Sequence, residues 1–114
     1  MVTNVDFIGT YAQTELGHGS NVAGLETTAT LDKETDEFVI NTPSTTATKY
    51  WPGDMGRLSS HSIIFARLII DGNDNGVMPF MVQTRDVETW KLRPGIKSGS
   101  LGTKIGYTSK DNGW

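Results

Sequence analysis

The chain has 114 residues, a length that corresponds to one domain with a single hydrophobic core. Its net charge of −3 and pI near 5.2 give no electrostatic reason to expect binding to nucleic acid or to an anionic membrane. It contains no cysteine, which excludes a disulfide scaffold and a thiolate metal site and is compatible with a reducing compartment.

Hydrophobicity and the two ends of the chain add three further expectations. Hydrophobic residues make up 36% of the chain, which predicts either a thin core or a domain that packs against neighbours. No apolar stretch approaches the roughly 20 residues that a membrane helix needs. Neither end carries a signal peptide or a targeting tripeptide, so no targeting signal is expected within these residues.

The dominant pattern is typical of β-structure. Fifteen threonines lie among apolar and aromatic residues, and thirteen glycines and four prolines separate short runs. No window shows a sustained apolar period of 3.6 residues, so long helices are not expected. We therefore predict an all-β domain over residues 1–114, an antiparallel barrel or sandwich of about six or seven short strands.

The first predicted strand, Gly9–Gln13, runs into the glycine-rich loop YAQTELGHGSN. Gly17 and Gly19 would let the backbone approach a bound ligand. The loop is not a dinucleotide fingerprint, because Val22 occupies the place of the third glycine, and no Gly-Lys-Ser/Thr makes it a P-loop. On spacing alone, a surface turn and a ligand site are equally good interpretations.

Two hairpins are predicted next. The first joins Thr27–Leu31 to Glu37–Asn41 through a polar turn, and the second joins Ser62–Ile70 to Val77–Thr84 through a turn at Gly72–Gly76.

The second hairpin carries two more specific expectations. Pro79 predicts that the returning strand is an edge strand or has a bulge near its start. The apolar run Ile63 to Phe65 lacks polar alternation, which predicts a central strand covered on both faces. The glycine-rich last third is expected to be mostly loop, with one or two short strands at most.

Between the hairpins, a strand is predicted over Thr45–Trp51, ending in the segment KYWPGDMG. Trp51 runs directly into Pro52 and Gly53, and an aromatic ring beside a residue without a side chain suits a planar ligand. A core tryptophan that closes the end of a barrel is an equally common interpretation.

Neither metal nor acid–base chemistry is indicated by residue spacing. His18 and His61 are the two histidines, and they lack metal-ligand spacing, so no metal site is expected. The carboxylates fall mostly in turns, and no motif marks a serine nucleophile.

Three blocks of the sequence resemble one family. The three blocks are YAQTELGHGSNVAGLETTATLD, KYWPGDMG and PGIKSGSLGTKIGYTSKDNG. In order and spacing, they are similar to segments of the peroxisomal acyl-CoA oxidases. These enzymes belong to the acyl-CoA dehydrogenase superfamily, in which a central β-barrel domain lies between two helical domains. The resemblance covers nearly the whole chain and implies that it is the central domain of a longer enzyme.

The resemblance implies a reaction for that parent enzyme. A glutamate in the C-terminal domain removes an α-proton from an acyl-CoA while a hydride passes to FAD, which gives a trans-2-enoyl-CoA. Molecular oxygen then reoxidises the flavin and yields hydrogen peroxide. The parent is expected to act in peroxisomal fatty-acid β-oxidation, with a cofactor that performs the redox chemistry and a protein that orients it.

The resemblance also implies site residues. Thr14 and Gly53 match the flavin-binding threonine and glycine of the family, Trp51 matches an aromatic residue near the flavin, and Ser20 matches a serine on the acyl-CoA side. Glu15 is adjacent to Thr14 but is expected to be structural, because the family's base lies in the C-terminal domain. No catalytic residue is expected within this chain.

Two positions depart from the family pattern: Tyr50 replaces a tryptophan, and Asp54 replaces a glycine and would add a negative charge near the flavin.

Expected partners are acyl-CoA, oxygen, the helical domains of the same polypeptide and a second subunit of a homodimer. Two alternatives stay open. One is an acyl-CoA dehydrogenase that reduces an electron-transfer flavoprotein, and the other is a non-catalytic β-module that binds a planar or sugar ligand.

Overall fold

The structure is a computed structural model that describes residues 6–114. It is almost entirely β, which confirms the predicted fold class. The strands are β1 (Gly9–Ala12), β2 (Thr28–Asp32), β3 (Glu37–Asn41), β4 (His61–Ile70) and β5 (Asn73–Gln83). Within the described residues, a 3₁₀ turn at Val22–Gly24 is the one helical segment, and no helix is long and apolar enough to cross a membrane.

The five strands form one mixed sheet around β4, and the sheet does not close into a barrel. β5 pairs antiparallel with one edge of β4. On the other edge, β1 pairs parallel with the first part of β4 and β2 pairs parallel with the second part. β3 lies outside β2 and is antiparallel to it.

The prediction of an antiparallel barrel or sandwich with six or seven strands is therefore wrong in strand direction, closure and number. The parallel pairings arise because β1 and β2 reach β4 through long connections, whereas local patterns reveal only hairpins.

Both predicted hairpins are present. The first differs from its prediction by one residue at each end of β2. In the second, Asp71 and Gly72 alone make the turn, with φ of 53° and 76°. Two successive positive φ angles characterise the tight turn whose twist matches that of the strands. Residues 73–76, which were expected in the turn, therefore belong to β5.

The edge position of Pro79 is confirmed, because among residues 6–114 β5 pairs with β4 alone. The pairing is irregular between Arg67 and Ile69, opposite the first part of β5. β4 is central, since both of its edges are paired. The expectation that both its faces are covered does not hold within this chain, because Ile63 is 36% exposed.

The hydrophobic core is thin, in agreement with the composition. The buried apolar side chains are mainly small: Ala12, Leu25, Ala29, Ala47, Met55 and Ala66. On the same side of the sheet, a groove of about 720 Å³ lies between the end of β3, the inner residues of β4 and β5, and Trp114.

The strand predicted over Thr45–Trp51 is wrong, because this segment forms turns joined by single bridges. The amide of Thr48 donates to the carbonyl of Thr45 (3.1 Å), and Trp51 has a positive φ of 79°. Neither arrangement is compatible with an extended strand. From Thr84 onward the described chain is loop with isolated bridges, including Ser100 with Gly113.

Candidate functional site

Three of the four sequence-predicted site residues lie close to the C-terminal end of β1 or in a turn that contacts it. Thr14 follows β1, and its carbonyl accepts a hydrogen bond from the amide of Tyr50 (2.9 Å). The hydroxyl of Thr10, within β1, donates to the carbonyl of Gly53. The structure therefore brings Thr14 and the turn containing Trp51 and Gly53 into one neighbourhood, although they are almost forty residues apart in the chain.

Trp51 is held in a strained conformation with its ring half exposed. Its φ of 79° is rare for a residue with a bulky side chain, and such conformations cost on the order of 1–3 kcal/mol. Its amide donates to the carbonyl of Gly113 (2.9 Å), and its carbonyl accepts from the side-chain amide of Asn112 (2.8 Å). Asn112 and Gly113 thus hold the strained backbone and leave 49% of Trp51 exposed. Observed strain of this kind is concentrated at ligand-binding sites.

Gly53 is not required by the packing of this chain. A methyl group placed on it would meet only the Lys110 side chain, at 3.5 Å, which is an ordinary contact. Gly56 differs, since a methyl group there would lie 2.9 Å from the Cα of Ser100. A requirement for glycine at position 53 would therefore have to come from a molecule bound outside the chain, which agrees with the predicted planar ligand.

A buried arginine supports the turn that follows Gly53. Arg85 is 5% exposed, and its guanidinium donates to the carbonyls of Met55 (3.0 Å), Gly56 (2.8 Å) and Ser59 (2.8 Å). A planar fork of donors can satisfy several carbonyls at once. The backbone after the candidate site is therefore held by a residue that follows β5.

The charge of Asp54 is balanced within the chain. Asp54 has a φ of 66°, a conformation that aspartate tolerates better than most residues and that glycine adopts freely. Its carboxylate lies 2.6 Å from the ammonium of Lys110. This hydrogen bond raises the pKa of Lys110. The negative charge that distinguishes this chain from the family pattern is thus paired with a lysine beside Gly53.

Glu15 lies at the centre of a buried polar network. One carboxylate oxygen accepts from the amide and hydroxyl of Thr27 (2.9 and 2.6 Å) and from the ammonium of Lys49 (3.1 Å). The other accepts from the amide of Glu26 (2.8 Å) and lies 3.1 Å from a ring nitrogen of His18. Glu15 is 1% exposed. This arrangement supports the structural role expected of Glu15.

The ionisation of the Glu15–Lys49 pair follows from these contacts. Burial opposes the charge on Glu15, but its hydrogen bonds outweigh that effect and hold its pKa below the ordinary value. Burial lowers the pKa of Lys49, against the opposing attraction of Glu15. The Lys49 ammonium also donates to the carbonyls of Gln13 (3.1 Å) and Phe65 (2.6 Å), so the pair ties the segment after β1 to the middle of β4.

Ser20, the fourth predicted residue, is exposed and forms no hydrogen bond with another residue in the described range. In the same loop, Gly17 packs against Thr46, whereas a methyl group on Gly19 would meet nothing within 4 Å. Across residues 6–114, the histidines and carboxylates form no group of three or more that could hold a metal ion.

Lys49, Arg85 and Lys110 support the candidate site but were not identified from the sequence. Each is an isolated basic residue without a recognisable spacing relative to its partner. Their partners lie 34, 29 and 56 residues away, respectively, at Glu15, Gly56 and Asp54. Only the folded chain brings these groups together.

The chain is similar to acyl-CoA oxidases from several organisms. No protein-family model matches the chain. Acyl-coenzyme A oxidase 3 of Yarrowia lipolytica is 57% identical over 108 residues, which cover 95% of this chain and 15% of that protein. Peroxisomal acyl-coenzyme A oxidase 1 of Arabidopsis thaliana is 54% identical over 117 residues, which cover 100% of this chain and 18% of that protein.

A solved structure agrees with these relatives. Acyl-CoA oxidase-1 of Caenorhabditis elegans, complexed with FAD and ATP, matches with a TM-score of 0.92 and 50% identity. The match covers 95% of this chain and 16% of that one. The chain therefore spans less than a fifth of the length of the relatives that it matches.

Proposed function

We propose that this chain, which is homologous over its whole length to acyl-CoA oxidases, forms the flavin-contacting β-domain of a longer acyl-CoA oxidase. The observation that carries the proposal is the identity of 54% over 100% of the chain with a peroxisomal acyl-CoA oxidase. The parent enzyme would convert acyl-CoA to trans-2-enoyl-CoA and reduce oxygen to hydrogen peroxide. As in the relatives named peroxisomal, its location would be the peroxisome.

The residues beside β1 fit FAD, the cofactor present in the solved relative from C. elegans. Gly53 has no side chain, and within the described residues its backbone is contacted at this point by the flexible Lys110 side chain alone, which a flat ring could displace; Trp51, which is 49% exposed, is two residues away. Thr14 would contribute its hydroxyl to the polar edge of the flavin. When bound, FAD would supply the electron acceptor that the side chains of this domain lack.

The remaining residues have supporting roles. Asp54 adds no net charge near the flavin, because Lys110 neutralises it. Ser20 would lie toward the acyl-CoA. Glu15 is a poor candidate for the base, since both its oxygens already accept hydrogen bonds in a buried position. The catalytic base and the helical domains would come from the part of the same polypeptide outside this chain. A second copy of the parent would complete a homodimer.

Purification of the parent enzyme tests the function. We expect a yellow protein with flavin absorbance that forms hydrogen peroxide when acyl-CoA and oxygen are supplied. An enzyme that reduces a dye with acyl-CoA but is inert toward oxygen would indicate a dehydrogenase instead. A colourless protein that cannot be reconstituted with FAD would indicate a non-catalytic binding module.

Gly53 provides a test at the level of one residue. Because a methyl group at position 53 makes only an ordinary contact with Lys110, Gly53→Ala in the parent should fold normally, with an unchanged circular dichroism spectrum. We expect its FAD content to fall at least tenfold, since the added methyl group would occupy the flavin surface. Gly19→Ala, in open space, is the control and should retain FAD. Full FAD occupancy in Gly53→Ala would contradict this role.

A further inference from the structure

One face of the sheet carries an exposed apolar surface. Tyr11 of β1, Ile63 of β4 and Met81 of β5 are paired in register, so their side chains form a row across three strands. They are 59%, 36% and 66% exposed. Phe65 and Pro79 form the next row on the same face. These five residues are called the Tyr11–Met81 surface below.

The opposite face is covered at the centre of β1 and β4 but not along β5, where Met78 is 43% exposed. Ala12, Ser62 and Ala66 alternate with residues of the Tyr11–Met81 surface and are completely buried. At β1 and β4 the chain therefore covers one face and leaves the other, apolar face open. Monomeric proteins rarely expose a contiguous apolar patch of this kind, and such patches mark interaction sites.

Polar groups border the surface at two ends. Arg67, the next residue along this face of β4, forms an ion pair with Asp74 (2.6 Å), and His61 lies at the other end of β4. An apolar centre with a polar rim is the usual composition of a protein interface.

The surface is also suited to an uncharged partner. The rings of Tyr11 and Phe65 pack against each other, with centroids 5.0 Å apart and planes tilted by 55°. The one hydroxyl of the surface, on Tyr11, already donates to the side chain of Gln13 (2.6 Å). A charged group placed here would lose water without gaining a counterion, which is unfavourable.

We propose that the Tyr11–Met81 surface is an interdomain interface, covered in the parent enzyme by an apolar face of the polypeptide outside this chain. More than four-fifths of each relative lies outside the matched segment, so ample polypeptide exists to cover it. The inference rests on the proposed function only in that the parent is a longer enzyme of that kind.

Cysteine labelling of the parent tests the interface. We expect Met81→Cys to react with a maleimide at least tenfold more slowly than Glu34→Cys, which places the thiol in the exposed polar turn between β2 and β3. Peptide mapping assigns each label to its site. In urea the two rates should be equal, which shows that protection depends on the fold. Equal rates in the native parent would overturn the proposal.

A measurement without substitution complements the labelling. In hydroxyl-radical footprinting of the unaltered parent, Met81 should be oxidised as slowly as Met55, although this chain leaves them 66% and 5% exposed. Faster oxidation of Met81 would overturn the proposal. Protection that disappears when the parent is diluted to its monomer would also overturn it, because a second copy of the enzyme would then cover the surface. A yellow, peroxide-forming parent with a reactive Met81→Cys site would refute the interface while leaving the function intact.

Discussion

Glu15 illustrates how one buried charge can organise a surface loop. Its carboxylate joins residues before β2 to Lys49, which in turn binds the backbone after β1 and in β4. Such an ion pair adds little net stability compared with apolar residues of the same volume, but removal of one partner leaves the other charge buried and unpaired. The loop that bears Thr14 is therefore sensitive to the chemistry of Glu15.

We predict that Glu15→Gln destabilises the chain by about 3 kcal/mol. The NH₂ group of glutamine would replace one of the two oxygens, and in either orientation it would face a backbone N–H donor, from Thr27 or from Glu26. Lys49 would also lose its counterion. Urea unfolding followed by circular dichroism measures the change.

Glu26→Gln is the matched control for that variant. Glu26 accepts from the exposed hydroxyls of Ser44 (2.6 Å) and Thr46 (2.8 Å), and water can replace these contacts. We expect a cost below about 1 kcal/mol. Equal costs for the two substitutions would show that the buried ion pair has no special importance.

Glu15 also predicts a pH dependence. Because its folded-state pKa lies below the unfolded value, ionised Glu15 contributes stability that is fully present above the unfolded pKa of about 4.3. That contribution is lost as the pH falls through the lower folded-state value. The urea concentration at the unfolding midpoint should therefore decrease when the pH is lowered below about 4 in the unaltered chain. It should change less with pH in Glu15→Gln. Parallel pH profiles would contradict this assignment.

At the scale of elements, the β4–β5 hairpin is the best-defined unit of the fold. It carries the longest strands. Its two-residue turn sets the pairing of Ile69 with Asp74, and the irregularity beside Arg67 then shifts the register by one residue along the rest of both strands. Through that register, Ile63 and Phe65 of β4 lie opposite Met81 and Pro79. The turn and this irregularity together determine which side chains share the exposed apolar face.

We predict that Gly72→Ala destabilises the chain by about 1 kcal/mol or more, because an L side chain is unfavourable at a φ of 76°. Nothing lies within 4 Å of the added methyl group, so the cost would be conformational only. Urea unfolding measures it. Gly19→Ala, which has the same open surroundings without a positive φ, should change the stability by less than about 0.5 kcal/mol. Similar effects in both variants would contradict the role of the turn.

At the scale of the whole molecule, the open sheet, the thin core and the exposed apolar face have one explanation. Domains bury their apolar surface against a second layer of structure. This chain supplies one sheet and a partial covering layer for one of its faces. The groove of about 720 Å³ and the Tyr11–Met81 surface are the places where further polypeptide would complete the packing.

We predict that the 114 residues alone bind FAD weakly and have no turnover with acyl-CoA. The proposed flavin contacts come from a few residues of this chain, and the buried network around Glu15 prevents that carboxylate from acting as the base. Flavin fluorescence titration measures the binding, and anaerobic dye reduction with acyl-CoA measures the turnover. Acyl-CoA-dependent dye reduction by this chain would refute the proposal that its base lies elsewhere.

Local patterns in the sequence were sufficient to predict the β class, the first strand, both hairpins and the edge position of Pro79. Each depends on residues close together in the chain: alternation along a strand, turn residues between strands, or the missing amide of a proline. The resemblance to acyl-CoA oxidases likewise rests on contiguous segments. Thr14, Trp51, Gly53 and Ser20 could be nominated as site residues for that reason, and their roles toward a flavin or acyl-CoA stay predictions.

Only the tertiary structure decided how these pieces join. The parallel pairing of β1 and β2 with β4, the open sheet, the strained turn at Trp51 and the ion pairs of Lys49 and Lys110 all link residues far apart in sequence. Side-chain alternation tells which residues share a face of a strand, but not which strand lies beside it. Long-range contacts depend on the packing of the whole chain, which is why residue patterns alone did not reveal them.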